Sequence, residues 1–150
     1  MLSIIRTHST DPHFVSLVKE LNELLAVVDG EMHDYYHQFN SIENLPFVLV
    51  AYLDDKPVAC GAIKKYNDTT VEIKRMFTAP EARGKGVGKA ILAALEDWAR
   101  ELKFETLLLE TGITFEAAIN LYKKYGFVPI PNYDQYAGVK TSLCFEKPIQ

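Results

Sequence analysis

The chain has 150 residues, 48% of them hydrophobic and 24% charged, with 8 Gly and 7 Pro, proportions that exclude a disordered, collagen-like or coiled-coil chain. Lys and Arg number 16 against 20 Asp and Glu, a formal net charge of −4, which argues against a nucleic-acid binder, whose surface is usually basic. This length suits a single α/β-sized domain over 1–150, with a core that needs no metal or disulfide staple.

Leu2 to Ile5 is a short apolar run suited to an opening strand. Asp11-Pro12 then offers an N-cap with proline at the first helical position. Phe14, Leu17, Val18, Leu21, Leu24, Leu25 and Val28 follow at helical spacing, and Gly30 suits the stop. Residues 31–39 read as a short second helix with an aromatic and histidine-rich surface, including His33, Tyr35, Tyr36 and His37. Phe47 to Leu53, Pro57 to Lys65 and Thr69 to Thr78 read as strands, joined by turn chemistry at Asp54-Asp55 and Tyr66-Asn67-Asp68. Three successive strands with tight turns predict an antiparallel meander. Pro80 closes it, and a glycine loop opens a helix with Val87, Ile91, Leu95, Trp98 and Leu102 on one face. Thr106 to Leu109 makes a short buried strand, and Phe115, Ala118, Ile119 and Tyr122 mark a helix that ends at Gly126. Phe127 to Ile130 and Lys140 to Glu146 are the last strands, separated by a loop that carries Tyr133 and Tyr136. The order β-α-α-β-β-β-α-β-α-β-β indicates one mixed α/β domain.

Cys60 and Cys144 are isolated and form no CxxC pair, as expected in a reducing cytoplasm and against a zinc ribbon. The opening residues lack a basic stretch followed by a long apolar one, so no signal peptide is expected. The richest apolar run, Pro46 to Leu53, is too short to cross a bilayer. These features predict a cytoplasmic protein with no membrane and no nucleic-acid partner.

The stretch richest in chemistry is Arg83-Gly84-Lys85-Gly86-Val87-Gly88-Lys89, between a strand and a helix. Alternate glycines let backbone approach a ligand closely. The first turn of the following helix points unpaired N–H groups outward, and its dipole favours an anion. Arg83, Lys85 and Lys89 add positive charge, so the loop reads as a phosphate cradle, most simply for a pyrophosphate. The spacing fits neither a Walker A loop, which needs glycine at the Arg83 position and Ser or Thr at Ala90, nor a G-x-G-x-x-G dinucleotide fingerprint.

The spacing does match Arg-x-x-Gly-x-Gly, here Arg83-x-x-Gly86-x-Gly88. At this point the sequence resembles the GNAT superfamily of acyl-CoA-dependent N-acyltransferases. Glu72-Ile-Lys-Arg-Met-Phe-Thr-Ala-Pro-Glu-Ala-Arg83 is similar to that family's central strand and pyrophosphate loop, and Ala118-Ile-Asn-Leu-Tyr-Lys-Lys-Tyr-Gly-Phe127 is similar to its late helix. The resemblance covers residues 47–128 and implies an α/β fold with a mixed, mostly antiparallel central sheet flanked by about four helices.

The resemblance also implies roles. Acetyl-CoA would be the acyl donor, with CoA as product. The backbone of Met76 and Thr78, beside Phe77, would pair with its pantetheine amides, and Arg83, Gly84, Lys85, Gly86, Val87, Gly88 and Lys89 would hold its pyrophosphate. Core packing is the plain alternative for Met76 and Phe77, and a solvated helix start for Lys85 and Lys89, although basic residues are unfavourable at a helix N-terminus. Tyr122 would be the general acid toward the departing thiolate, or else only a packed helix tyrosine. Glu72, eleven residues before Arg83, would be the base toward the acceptor amine, or else an exposed strand glutamate paired with Lys74 or a neighbouring strand. Glu110 is its rival, and a water chain could replace both. Phe115 stands where many members carry a pantetheine-binding asparagine, so that contact is not carried over.

His33, Tyr35, Tyr36 and His37, with Tyr133 and Tyr136, fall in segments that line the acceptor site in relatives, where aromatics could enclose an amine. The expected reaction is direct transfer of an acetyl group to a primary amine of a small molecule or peptide, with no metal, and a homodimer is compatible with it. A non-catalytic acyl-CoA-binding sensor or interaction module is the alternative.

Overall fold

A computed structural model of the chain describes residues 1–29 and 45–149, so the helix expected over 31–39, with His33, Tyr35, Tyr36 and His37, and the stop at Gly30 lie outside the described residues. The strands are β1 (Leu2–Thr7), β2 (Phe47–Leu53), β3 (Lys56–Lys65), β4 (Thr70–Thr78), β5 (Thr106–Gly112), β6 (Val128–Ile130) and β7 (Ser142–Pro148). Three α-helices lie among the described residues: α1 (Pro12–Asp29), α2 (Val87–Glu101) and α3 (Glu116–Tyr125). The strands form a seven-stranded sheet in the order β1-β2-β3-β4-β5-β7-β6. The β4–β5 pairing is parallel, whereas β1–β2, β2–β3, β5–β7 and β6–β7 are antiparallel.

The chain divides into two compact units, residues 1–64 with 74–95, and residues 65–73 with 96–150. In the first unit, α1 begins as its sequence demands. The Asp11 carboxylate accepts the His13 N–H at 2.9 Å and the Thr7 hydroxyl at 2.9 Å, while its carbonyl accepts the first helical bond from Val15. Phe14, Leu17, Val18 and Leu21 then pack with Val48, Val50, Cys60, Ala62 and Phe77 in one buried cluster. Alternation along β2 and β3 sends Leu49, Ala51, Ala59 and Ile63 to the opposite face. There α2 comes so close that a Cβ on Gly61 would stand 2.8 Å from Ile91 and 2.7 Å from the Met76 sulfur. Asp54 and Asp55 have φ of 50° and 70°, so the β2–β3 hairpin turns through two left-handed residues that match the strand twist.

In the second unit, β5 pairs with β7 from Thr106↔Pro148 to Gly112↔Ser142. With β4 it pairs only over Thr70–Glu72 and Thr106–Leu108. Helix α3 stops at Gly126, left-handed at φ 108°, and the Phe127 N–H returns to the Tyr122 carbonyl at 3.0 Å. Leu107, Leu109 and Phe145 form one buried face. Period-two alternation sends Glu72, Leu108, Glu110 and Cys144, joined by their pairings, to the other.

Candidate active site

The first unit carries the anion cradle. A 3-10 turn at Pro80–Ala82 follows β4, and the Arg83 Nε donates to the Thr78 carbonyl at 3.0 Å, folding the loop back on the strand end. Gly84 and Gly86 have φ of 78° and 77°, and a Cβ placed on either would meet nothing within 4 Å. The glycines are there for conformation, and the space beside them is open. The Gly86 carbonyl accepts the Ala90 N–H at 3.1 Å, the first bond of α2, so the N–H groups of Val87, Gly88 and Lys89 have no partner inside the helix. A pyrophosphate fits this arrangement of open glycine backbone, outward N–H groups and basic side chains.

Upstream on β4, Arg75 sits in the strand at φ 60°, a left-handed conformation that interrupts the pleat just before Met76. It is buried and fixed from two sides: Cys60 Sγ donates to its carbonyl at 3.3 Å, and its own Nη1 donates to Asn22 Oδ1 at 3.3 Å. Phe77 packs in the α1 cluster, so its side chain serves the core, while Met76 turns toward Gly61. Nothing in the local sequence announces the turned backbone at Arg75, because an arginine gives no sign of positive φ.

The second unit carries the titratable groups. Glu72 is only 8% exposed, and its partner is Tyr133, whose hydroxyl donates to Glu72 Oε2 at 2.7 Å. The alternative of an exposed strand glutamate thereby falls. Burial and then the Glu72 charge push the Tyr133 phenol upward, so it keeps its proton. Tyr136 is buried and pushed upward by burial, then by Glu110 and Glu72. Cys144 lies opposite Glu110 on β7 and is raised to about 11, chiefly by burial. Tyr122 is buried against Phe127, 5.8 Å away edge-on, and Phe145, and burial followed by the Glu110 charge holds its phenol in the protonated form. Phe115 caps the start of α3 and lies over Gly112, where a Cβ would come within 2.9 Å of its ring.

The second unit therefore collects the carboxyl groups of Glu72 and Glu110 and the phenols of Tyr122, Tyr133 and Tyr136. The sequence places Tyr133 in a pocket-lining loop but does not reveal its bond to Glu72. The two residues are 61 positions apart, and no periodicity links them.

Comparison with known proteins adds an independent line. A family model described as the acetyltransferase (GNAT) family matches residues 11–127. The IAA acetyltransferase of Azospirillum brasilense is 40% identical over 150 residues, which span 99% of this chain and 98% of that protein. A Klebsiella pneumoniae crystal structure described as an acyl-CoA N-acyltransferase superposes with a TM-score of 0.82 at 31% identity, covering 100% of this chain and 99% of the other. The paia N-acetyltransferase of Thermoplasma acidophilum, solved in complex with coenzyme A, shares the fold with a TM-score of 0.77 at 16% identity, covering 99% of each chain.

Proposed function

The chain belongs to the GNAT family of acetyltransferases, and on that premise we propose that it moves an acetyl group from acetyl-CoA directly onto a primary amine. The observation that carries this reading is the cradle at Gly84–Lys89, open and anion-seeking at the start of α2. The backbone N–H groups of Gly84 to Lys89, with Arg83, Lys85 and Lys89, would hold the pyrophosphate, and the backbone at Met76 and Thr78 would take the pantetheine amides. Bound there, acetyl-CoA supplies an acetyl group already activated as a thioester. The Met76 N–H, following the turned backbone at Arg75, would donate to the thioester carbonyl oxygen and polarise it.

Glu72 takes a proton from the acceptor ammonium, because only the free amine has a lone pair to attack with. Tyr122, whose buried phenol stays protonated, donates at Oη toward the departing thiolate. A thiolate of pKa near 8.5 is stabilised by such a donor. The acceptor is a small-molecule or peptide amine, and IAA, from the name of the Azospirillum relative, belongs among the compounds tried. Two buried free cysteines support a cytoplasmic setting. Among the described residues no helix is long and apolar enough to cross a membrane.

Melting the protein with acetyl-CoA, CoA or ATP tests the cradle. A ligand at a hundred times its Kd adds about 2.7 kcal/mol and moves Tm by about 5–11 °C at this size. Both CoA species should raise Tm and ATP should not. Absence of a shift with either CoA species would refute the assignment of the loop.

A further inference from the structure

A glutamate side chain has many rotamers, and a base is useful only if its carboxylate is held where the proton will be. In the second unit the holding group comes from the loop between β6 and β7. Tyr133 Oη reaches Glu72 Oε2 at 2.7 Å. The next residue, Asp134, has φ 46°, a left-handed turn conformation that aspartate tolerates. Tyr66, in the turn after β3, lies beside this loop: the Asp134 carboxylate pushes its phenol upward, and its ring meets the Tyr133 ring edge-on at 5.6 Å. The Tyr136 ring stands perpendicular to Tyr133 at 5.7 Å. Tyr133 is thus gripped by two aromatic rings, and its phenol points at one carboxylate oxygen.

We propose that Tyr133 is the positioning residue of the base Glu72, and that the rings of Tyr66 and Tyr136 keep it aimed. The proposal rests on the reading of Glu72 as base. The groups that feel the Glu72 charge are Tyr66 from the β3–β4 turn, Tyr133 and Tyr136 from the loop, and Cys144 from β7, and Glu110 lies near the last two. The phenols and the thiol are all pushed toward their protonated forms, so they stand around the carboxyl group as donors. A carboxyl group that loses its hydrogen-bond partner is freer to turn away.

The test is a carbon-13 NMR spectrum of the protein labelled at the glutamate side-chain carboxyl, with Glu72→Gln identifying the Glu72 signal, read beside steady-state kinetics with the best amine of a panel. Tyr133→Phe should shift the Glu72 signal at neutral pH and lower kcat with KM for acetyl-CoA unchanged, and Tyr66→Ala, which removes a ring packed on Tyr133, should do the same by less. An unmoved Glu72 signal in Tyr133→Phe overturns the proposal. If that variant fails to fold, Tyr66→Ala, at a residue 39% exposed, decides in its place by the same criterion. Full amine-dependent CoA release by Glu72→Gln would instead remove Glu72 from the reaction, a failure of the base reading that the Glu72 signal separates from a failure of the aiming.

Discussion

In the proposed mechanism Tyr122 carries two duties in one side chain. Its ring is wedged against Phe127 and Phe145, and its hydroxyl feels the charge of Glu110. Removing the hydroxyl while keeping the ring separates them. Tyr122→Phe should keep the fold and bind acetyl-CoA nearly as well, yet lower kcat by about ten- to a thousand-fold. Calorimetry and steady-state kinetics on the same preparation check both halves, and unchanged turnover would take Tyr122 out of the mechanism. At this scale the sequence is informative where a motif fixes a position. Tyr122 and Glu72 follow from their offsets to Gly126 and Arg83. Tyr133 does not, because its bond to Glu72 is made by a loop returning across the sheet face of the second unit, and chain spacing says nothing of where a loop lands.

Elements were most legible where local chemistry alone decides them. The start of α1 is written in Asp11-Pro12, and the end of α3 in Gly126. Their limits blur where partners decide. β1 runs on to Thr7 because Thr7 pairs with Val48, not because its own residues are apolar. β7 begins at Ser142 rather than Lys140 because the preceding residues close a turn, with the Ser142 N–H on the Val139 carbonyl.

Two predictions belong to elements. In the cap of α1, burial alone would raise the Asp11 carboxyl, but bonds from the His13 N–H, the Thr7 hydroxyl and the Phe14 N–H outweigh it and hold the group below its ordinary 3.8. Asp11 therefore binds fewer protons folded than unfolded. Its contribution is present above about pH 4 and fades as pH falls through the lowered value. Asp11→Ala should cost about 1 kcal/mol at neutral pH and lose less stability than the wild type between pH 5 and pH 2, as urea melts at several pH values would show; an equal loss would contradict the cap.

At the start of α2, Gly86 holds φ 77° with open space around it. Gly86→Ala should cost about 1–2 kcal/mol through backbone strain and weaken acetyl-CoA binding well beyond that loss of stability, because the N–H groups of the cradle turn with the backbone. Unchanged affinity would show that the cradle does not depend on that conformation.

For the whole molecule, composition excluded much and named little. The net charge of −4 argues against nucleic acid, yet net charge says little about one site, and three basic residues cluster around three glycines. The parallel pairing of β4 with β5 suits strands joined through a helix, whereas the place of β7 between β5 and β6 is not written in the run of elements. Family membership is legible in the Arg83-x-x-Gly86-x-Gly88 loop and the run from Ala118 to Phe127. The acceptor is not legible in the sequence, and the segment with His33 and Tyr36 lies outside the described residues.

The measurement that bears most directly on the account is CoA release from acetyl-CoA, followed with a panel of primary amines and IAA, each against an amine-free control. Direct transfer predicts that at least one amine accelerates release with stoichiometric formation of its N-acetyl product. Binding of CoA with no amine raising release above the control would contradict it, and would leave a protein that holds acetyl-CoA without passing its acetyl group to an amine.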